Sequence, residues 1–288
     1  MISLIIPSFK RHMVLSGTLI NLLHQSIFKA MNFEILISLD AIDPTQSDYS
    51  KLISQIKSIY SDNDLQGSIK IIINQTQGLV EAKNAAISQS KSPYIMMLDD
   101  DLYPEPNYIE TLYQDIISYP QTGAVSGYIV TYLPAISHTQ PSTLLKLAPQ
   151  STHLQTLKLK RNANQWRSVF GTKEQVMDWS QINHHLPKQQ RYTMDYFVNS
   201  YLFSRQAFDQ INGYNPQLNS ATSAHEEVDF TYRIGKSGYK LLFNPFARMW
   251  HLTIGKGGIY KGQTYQERQK IIESEYNAKL PVFFFLFT

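Results

Sequence analysis

The sequence predicts an α/β protein with a mainly parallel central sheet and helices on both sheet faces. Three observations carry this. Strand-length apolar runs alternate with helix-period segments four times in roughly the first 120 residues, an order that calls for right-handed parallel crossovers. Several runs are apolar at successive positions rather than alternate ones, as strands covered on both faces are. Turn-forming or acidic residues stand at the carboxyl ends of the runs, where ligands bind in such folds.

In chain order, ISLIIPSF reads as a buried strand ending near Pro7. Residues 13–29 place Leu15, Leu19, Leu22, Leu23 and Ile27 at helical spacing and predict one helix. FEILISLD is a second strand that stops at Asp40. DPTQSDYSKLISQIKSIY opens with turn residues and continues as an amphipathic helix. IKIIIN is a third strand, and GLVEAKNAAISQS a helix opened by Gly78. SPYIMMLDDDL is a fourth strand running into three aspartates, followed by the helix NYIETLYQDIISY. Beyond it AVSGYIVTYL is strand-like, while residues 134–190 are polar and show no clear period. MDYFVNSYLFSRQAFDQINGY predicts a strand, a helix and a glycine stop. HEEVDFTYRIGKSGY is a helix with carboxylates on its first turn, and KLLFNPFARMWHL a strand ending near His251. The end is a charged helix followed by the apolar tail VFFFLFT.

The 288 residues fit one large α/β domain, or two small ones sharing a cleft. With 43% hydrophobic and 12% aromatic residues, a full core can form. The absence of cysteine excludes a disulfide scaffold, a thiolate metal site and a cysteine nucleophile. No apolar run reaches membrane-span length, and the first residues lack a signal peptide's cationic front. A cytoplasmic setting is the expectation. No zinc-finger spacing or helix-turn-helix is evident, so no nucleic-acid partner is expected. Charge is uneven. Residues 1–115 hold 13 acids against 8 Lys and Arg, and the remainder 10 against 18. No acid lies between Asp115 and Glu174, or between Asp229 and Glu267. Such basic stretches suit an anionic partner, either a phosphorylated substrate or an acidic lipid surface, and suit a solvated surface equally.

Three constellations carry chemistry. Asp99, Asp100 and Asp101 repel one another at a strand end unless a hard divalent ion is present. Asp99 and Asp101, two apart, could both turn toward one Mg2+ or Mn2+, which keeps open positions for phosphate oxygens. Alone, such a run is an ordinary acidic turn; its place at the fourth strand argues for a site. Glu226 and Glu227 lie at a helix N-terminus, where the dipole favours anions and adjacent carboxylates push one pKa up, which suits a general base. His251 becomes a credible third metal ligand if the fold brings it to the aspartates. The glycines after it suggest a mobile loop where Lys256 and Lys261 could neutralise phosphate.

Taken together, IIPSFKR, SLDAID, NQTQGLVEAKNAAI, YIMMLDDDLYPEP, HEEVDFTYRIGKSGY and NPFARMWH resemble, in order and spacing, the family-2 glycosyltransferases with their nucleotide-sugar-binding GT-A fold. The likeness covers roughly residues 2–260. It implies one GT-A domain over 1–260, with a nucleotide-sugar half at 1–103 and an acceptor half at 104–260, then a helix and tail at 261–288. It implies inverting transfer of a sugar from a nucleoside diphosphate donor, with UDP the first expectation, to a hydroxyl of a glycan or lipid-linked acceptor. By motif, Pro7, Phe9, Arg11, Asp40, Gly78, Lys83, Asp99 and Asp100 would line the donor pocket. Asp40 would hold the base or ribose, and Lys83 the uracil or the phosphates. Asp99 would contact ribose or metal, Asp101 would be the main metal carboxylate, and His251 would complete the site for Mn2+ or Mg2+. Glu227 would take the acceptor's proton and Glu226 would bind the acceptor. The family usually has aspartate after the glutamate, so Glu226 and Asp229 stay open as alternative bases.

A sugar nucleotidyltransferase would carry a glycine-rich loop after the first strand, and SFKRHMVLSG has only Gly17. A non-catalytic nucleotide- or glycan-binding module would leave Glu227 dispensable. The tail would complete the core, dock on a partner or dip into a membrane interface as a peripheral contact. Tyr128, Tyr132, Trp166 and Trp179 suit stacking on sugar rings and suit a core equally.

Overall fold

The computed structural model describes residues 1–40, 43, 45–63, 65, 67–75, 78–132, 167–168, 191–194, 196–197, 200–219 and 226–252. The strands are β1 (Ile2–Pro7), β2 (Phe33–Asp40), β3 (Gly67–Asn74), β4 (Tyr94–Met97), β5 (Leu102–Pro104), β6 (Thr122–Tyr132), β7 (Arg167–Ser168), β8 (Tyr192–Met194), β9 (Tyr201–Ser204) and β10 (Lys240–Leu252). The helices are α1 (His12–Leu22), α2 (Gln46–Asp62), α3 (Leu79–Gln89), α4 (Tyr108–Ser118), α5 (Arg205–Gln210) and α6 (Glu226–Lys236). Among the described residues all the strands join one sheet, ordered β3-β2-β1-β4-β9-β6-β10-β8-β7, with β5 pairing β10.

The first half follows the sequence pattern. β1 pairs in parallel with β2 and β4, and β2 with β3, each connection carrying a helix. Strand period 2 sorts the side chains. Ile2, Leu4 and Ile6, with Phe33, Ile35, Ile37 and Leu39, face the core built with α1, α2 and α4. Ile5, Leu36 and Ile72 face the other core, built with α3, α5 and α6. Helices therefore cover both faces, as expected.

The second half departs from a simple parallel continuation. β9 inserts between β4 and β6 and runs antiparallel to both. β6 and β10 pair in parallel, with register shifts between Lys240 and Leu241 and between Asn244 and Arg248. Asn244 is fully buried at that irregularity; its amide donates to Asp115, and its Oδ1 accepts the Phe246 N–H at 2.9 Å. The second of these bonds gives a partner to a backbone N–H inside the irregularity.

Two boundaries differ from the sequence reading. The helix expected over 13–29 stops at Leu22 and resumes as a 3-10 turn at Ser26–Lys29. The cause is Gln25, extended in backbone and fully buried, whose amide donates to the carbonyls of Pro104 (3.1 Å) and Glu105 (2.9 Å). The fourth strand ends at Met97, before the aspartates, and the Leu102 N–H closes the acidic turn on the Asp99 carbonyl at 3.3 Å.

Candidate active site

The acidic turn between β4 and β5 is the centre of the site. β5 pairs antiparallel with β10, which sets Leu102 directly opposite His251. Asp101, one residue earlier, then lies beside the imidazole, with Oδ1 3.3 Å from His251 Nε2. Arg11, between β1 and α1, reaches the same turn: one guanidinium nitrogen is 3.0 Å from Asp100 and another 2.6 Å from Asp101.

Asp100 is the inward-facing member of the three. Ser8 donates to its Oδ2 at 2.6 Å, and Thr18 donates to its backbone carbonyl at 2.6 Å. With Ser8's proton used there, the Tyr49 hydroxyl donates to Ser8 across 2.8 Å and accepts the Arg11 backbone N–H at 2.8 Å. Burial pushes the Asp100 carboxyl up to about 7 against the pull of Arg11 and Ser8. Ser8 donates to one of its oxygens and the Arg11 guanidinium pairs with the other, two contacts that favour the ionised form. For Asp101 burial alone would raise the pKa, but His251 and Arg11 outweigh it and the pKa falls. For His251 burial disfavours the cation, yet Asp101 outweighs it and the pKa rises. Asp99 is raised, by burial first and then by repulsion from Asp101 and Glu226, while Lys83 and His251 oppose the shift.

Two carboxylates and one imidazole are donor types that suit Mn2+ or Mg2+, and the crowding around Asp99 is what a cation relieves. Among the described residues no three such side chains close into a metal cage. An open set of few protein ligands is nonetheless the usual arrangement where phosphate oxygens complete the coordination.

The end of β2 forms the next wall. Asp40 stands in register with Asn74, whose amide donates to its carboxylate at 3.3 Å, and the Gly78 N–H approaches the other oxygen at 3.4 Å. Burial raises the Asp40 pKa, and these two donors partly offset it. Pro7 closes β1 in register with Ser38. Phe9 follows it with the Lys10 ammonium 5.0 Å above its ring. The sequence reading gave no role to Asp43, which is buried and accepts from the Lys10 N–H (2.7 Å), the Thr45 N–H (2.8 Å) and the Thr45 hydroxyl (2.7 Å). It thereby ties the loop after β1, where Lys10 has φ 55°, to the loop after β2. The available signal was an aspartate two residues before a threonine at a helix start, a local side-chain-to-backbone turn.

Gly78 opens α3 with φ +124°, a conformation that side chains rarely adopt, and a Cβ there would sit 2.2 Å from Asn219 Oδ1. Asn219 is itself held, accepting the Glu81 N–H at 3.3 Å. Gly78→Ala is expected to lower stability by about 1–3 kcal/mol. Urea unfolding should show a lower midpoint with an unchanged slope, and an unchanged midpoint would discard the strain argument.

The acid pair completes the site. Lys83 on α3 is fully buried, with its ammonium 3.0 Å from Glu226 and 3.3 Å from Glu227 at the start of α6. The Glu226 side chain is 2% exposed and that of Glu227 13%, so Glu227 is the one of the pair with solvent access. Asp229 is fully buried and accepts from Arg233 Nε at 2.9 Å, with a second guanidinium nitrogen 2.8 Å from the same oxygen. Beneath Lys83 lies an aromatic layer that the sequence reading did not single out. Tyr214 stacks on Phe230 at 4.0 Å, and the Tyr214 and Tyr201 hydroxyls are 2.6 Å apart. Its members come from three separate segments, so no local pattern announced it.

Tyr128 packs on the core shared with α3, α5 and α6. The Tyr132 side chain, Trp166, Trp179, Lys256, Lys261 and the tail lie outside the described residues. No described helix is long and apolar enough to cross a membrane.

Fold and site together define a class: the arrangement is the GT-A fold of glycosyltransferases. It is similar to the crystal structure of GalNAc-T7 with UDP, GalNAc and Mn2+, with a TM-score of 0.59 and 16% identity over 87% of this chain and 43% of that one. It is similar also to S. aureus TarS 1-349, with a TM-score of 0.54 and 13% identity over 88% of this chain and 60% of that one. The chain thus spans less than two thirds of either neighbour's length. No curated protein matches it. The chain belongs to glycosyl transferase family 2, whose model matches residues 3–176. That match runs from β1 through the acidic turn to β7 and ends before β8, α6 and β10.

Proposed function

We propose that the protein is an inverting transferase. It would move a sugar from a nucleoside diphosphate donor, with UDP the first expectation, to a hydroxyl of a glycan or lipid-linked acceptor. The supporting observation is the position of Asp99. Its charge interacts with those of Asp101 and His251 and also with those of Lys83 and Glu226, so one turn is coupled electrostatically to both a metal-type donor set and an acid pair.

In this reading Asp99, Asp101 and His251 would hold Mn2+ or Mg2+. The chemistry such a cation supplies is neutralisation of the charge that builds on the departing diphosphate. Pro7, Phe9, Arg11, Asp40 and Gly78 would line the nucleotide pocket, with Asp40 accepting from base or ribose. Asp100 would act through the turn, fixing Asp99 and Asp101 by its bonds to Ser8, Arg11 and Thr18. A poor nucleophile such as a sugar hydroxyl needs a carboxylate to accept its proton, and attack opposite the leaving group inverts the anomeric centre. Glu227 suits that role through its exposure, whereas Asp229 is enclosed and bonded by Arg233. Residues 1–103 would then form the donor half and 104–260 the acceptor half, in a cytoplasmic protein with peripheral membrane contact as the expectation carried from sequence.

A donor screen tests this. Purified protein is incubated with UDP-, GDP-, TDP- and CMP-sugars in Mn2+, Mg2+ or EDTA, and nucleotide release is read. Metal-dependent release of one nucleoside diphosphate is expected. No binding of any nucleotide, with or without metal, sinks the reading.

A further inference from the structure

We propose that Lys83 is a positioning residue for the acceptor-side base: carried on α3, its ammonium fixes the Glu226–Glu227 pair at the start of α6 and makes no contact with the donor nucleotide. The inference rests on the transferase reading above and assigns Lys83 a different place from the one motif resemblance implies.

Geometry carries it. Lys83 is 0% exposed, with its ammonium enclosed against the acid pair. An ammonium has three donors and no acceptor. Around this one stand Glu226 at 3.0 Å, Glu227 at 3.3 Å and the Tyr214 ring, with its centroid at 5.4 Å, and the Asp99 carboxylate adds a weaker electrostatic pull. The ring sits in the aromatic layer with Phe230 and Tyr201, which fixes the floor under the amine. Burial alone would strip the charge from Lys83, but Glu226 and Glu227 outweigh it and its pKa lies well above the usual lysine value. The cation is therefore permanent at working pH.

The consequence is mechanical and electrostatic. Two adjacent carboxylates at a largely buried helix start repel one another, and without a cation one of them takes a proton or turns to solvent. A protonated or turned Glu227 cannot receive the acceptor's proton. The ammonium cancels the repulsion and holds both headgroups at one point, with Glu226 enclosed as the anchor and Glu227 reaching the solvent side. Because α3 opens at Gly78 beside Asp40, the same helix ties the donor wall to the base.

Lys83→Met and Lys83→Arg decide the matter beside the wild type, with UDP plus Mn2+ as the binding probe and the active UDP-sugar as the turnover probe. Lys83→Met should bind UDP within about twofold of wild type, lose at least about thirtyfold in kcat and keep its donor KM within about threefold. Lys83→Arg, which restores a cation, should recover kcat to within about tenfold of wild type. If Lys83→Met misfolds, Lys83→Met/Glu226→Gln removes one acid with the amine and is measured the same way. A tenfold weaker UDP affinity in the Met variant would place Lys83 on the nucleotide and overturn the proposal, as would an unchanged kcat. A wild-type protein that binds no nucleoside diphosphate removes the transferase reading itself, and this proposal with it.

Discussion

Glu227→Gln is expected to lower kcat by roughly a thousandfold while UDP affinity stays within about twofold. The substitution keeps the shape of the side chain and an oxygen that can accept from Lys83, 3.3 Å away in the native protein. What it removes is the capacity to take a proton. An effect on kcat without one on binding is the signature of an interaction made only in the transition state. Glu226 and Asp229 are less suited to the task. Glu226 is 2% exposed and nearest to Lys83, and Asp229 is enclosed and bonded by Arg233. Nucleotide release should be followed with the donor identified by the screen, and UDP affinity by calorimetry. A kcat within tenfold of wild type would remove Glu227 from the chemistry and return Glu226 to consideration.

Asp101→Ala is expected to abolish the dependence of UDP affinity on Mn2+ and to reduce turnover by about a thousandfold or more, the effect of losing several kcal/mol of charge stabilisation. Asp101 holds the low-pKa position in the turn, stabilised as an anion by His251 and Arg11. It is thus the carboxylate that stays charged most readily, and the neighbour of the imidazole that would share a cation with it. Arg11 keeps its contact with Asp100 in the variant, so the turn retains an anchor to α1. Calorimetry of UDP binding in Mn2+ and in EDTA reads the effect, and a melting curve checks that the fold survives. UDP affinity that still rises with Mn2+ in the variant would mean that the metal is held elsewhere.

Much of this molecule was legible in the sequence because its signals are local. The apolar runs at 2–7 and 33–40 and the strand KLLFNPFARMWHL coincide with β1, β2 and β10, since period and length need no partner to be recognised. The start of α6 was visible in its acids, and the acidic turn in three like charges that no strand interior tolerates. Gln25 was not legible as a helix breaker, because its effect depends on carbonyls of Pro104 and Glu105 roughly 80 residues away.

The sequence by itself determined the alternation of strands and helices and the placing, at the strand ends, of residue types that can hold a cation or take a proton. Only the tertiary structure decided which of those residues meet. The insertion of β9 between β4 and β6 is a choice among pairings that a short apolar run leaves open in both position and direction. The pairing of β5 with β10 brings His251 to Asp101, and the packing of α3 on the same core as α6 brings Lys83 to Glu226 and Glu227. Charge pairing acts over a few ångströms and is blind to separation along the chain, so it is settled by sheet order and core packing, which no local pattern of residues contains.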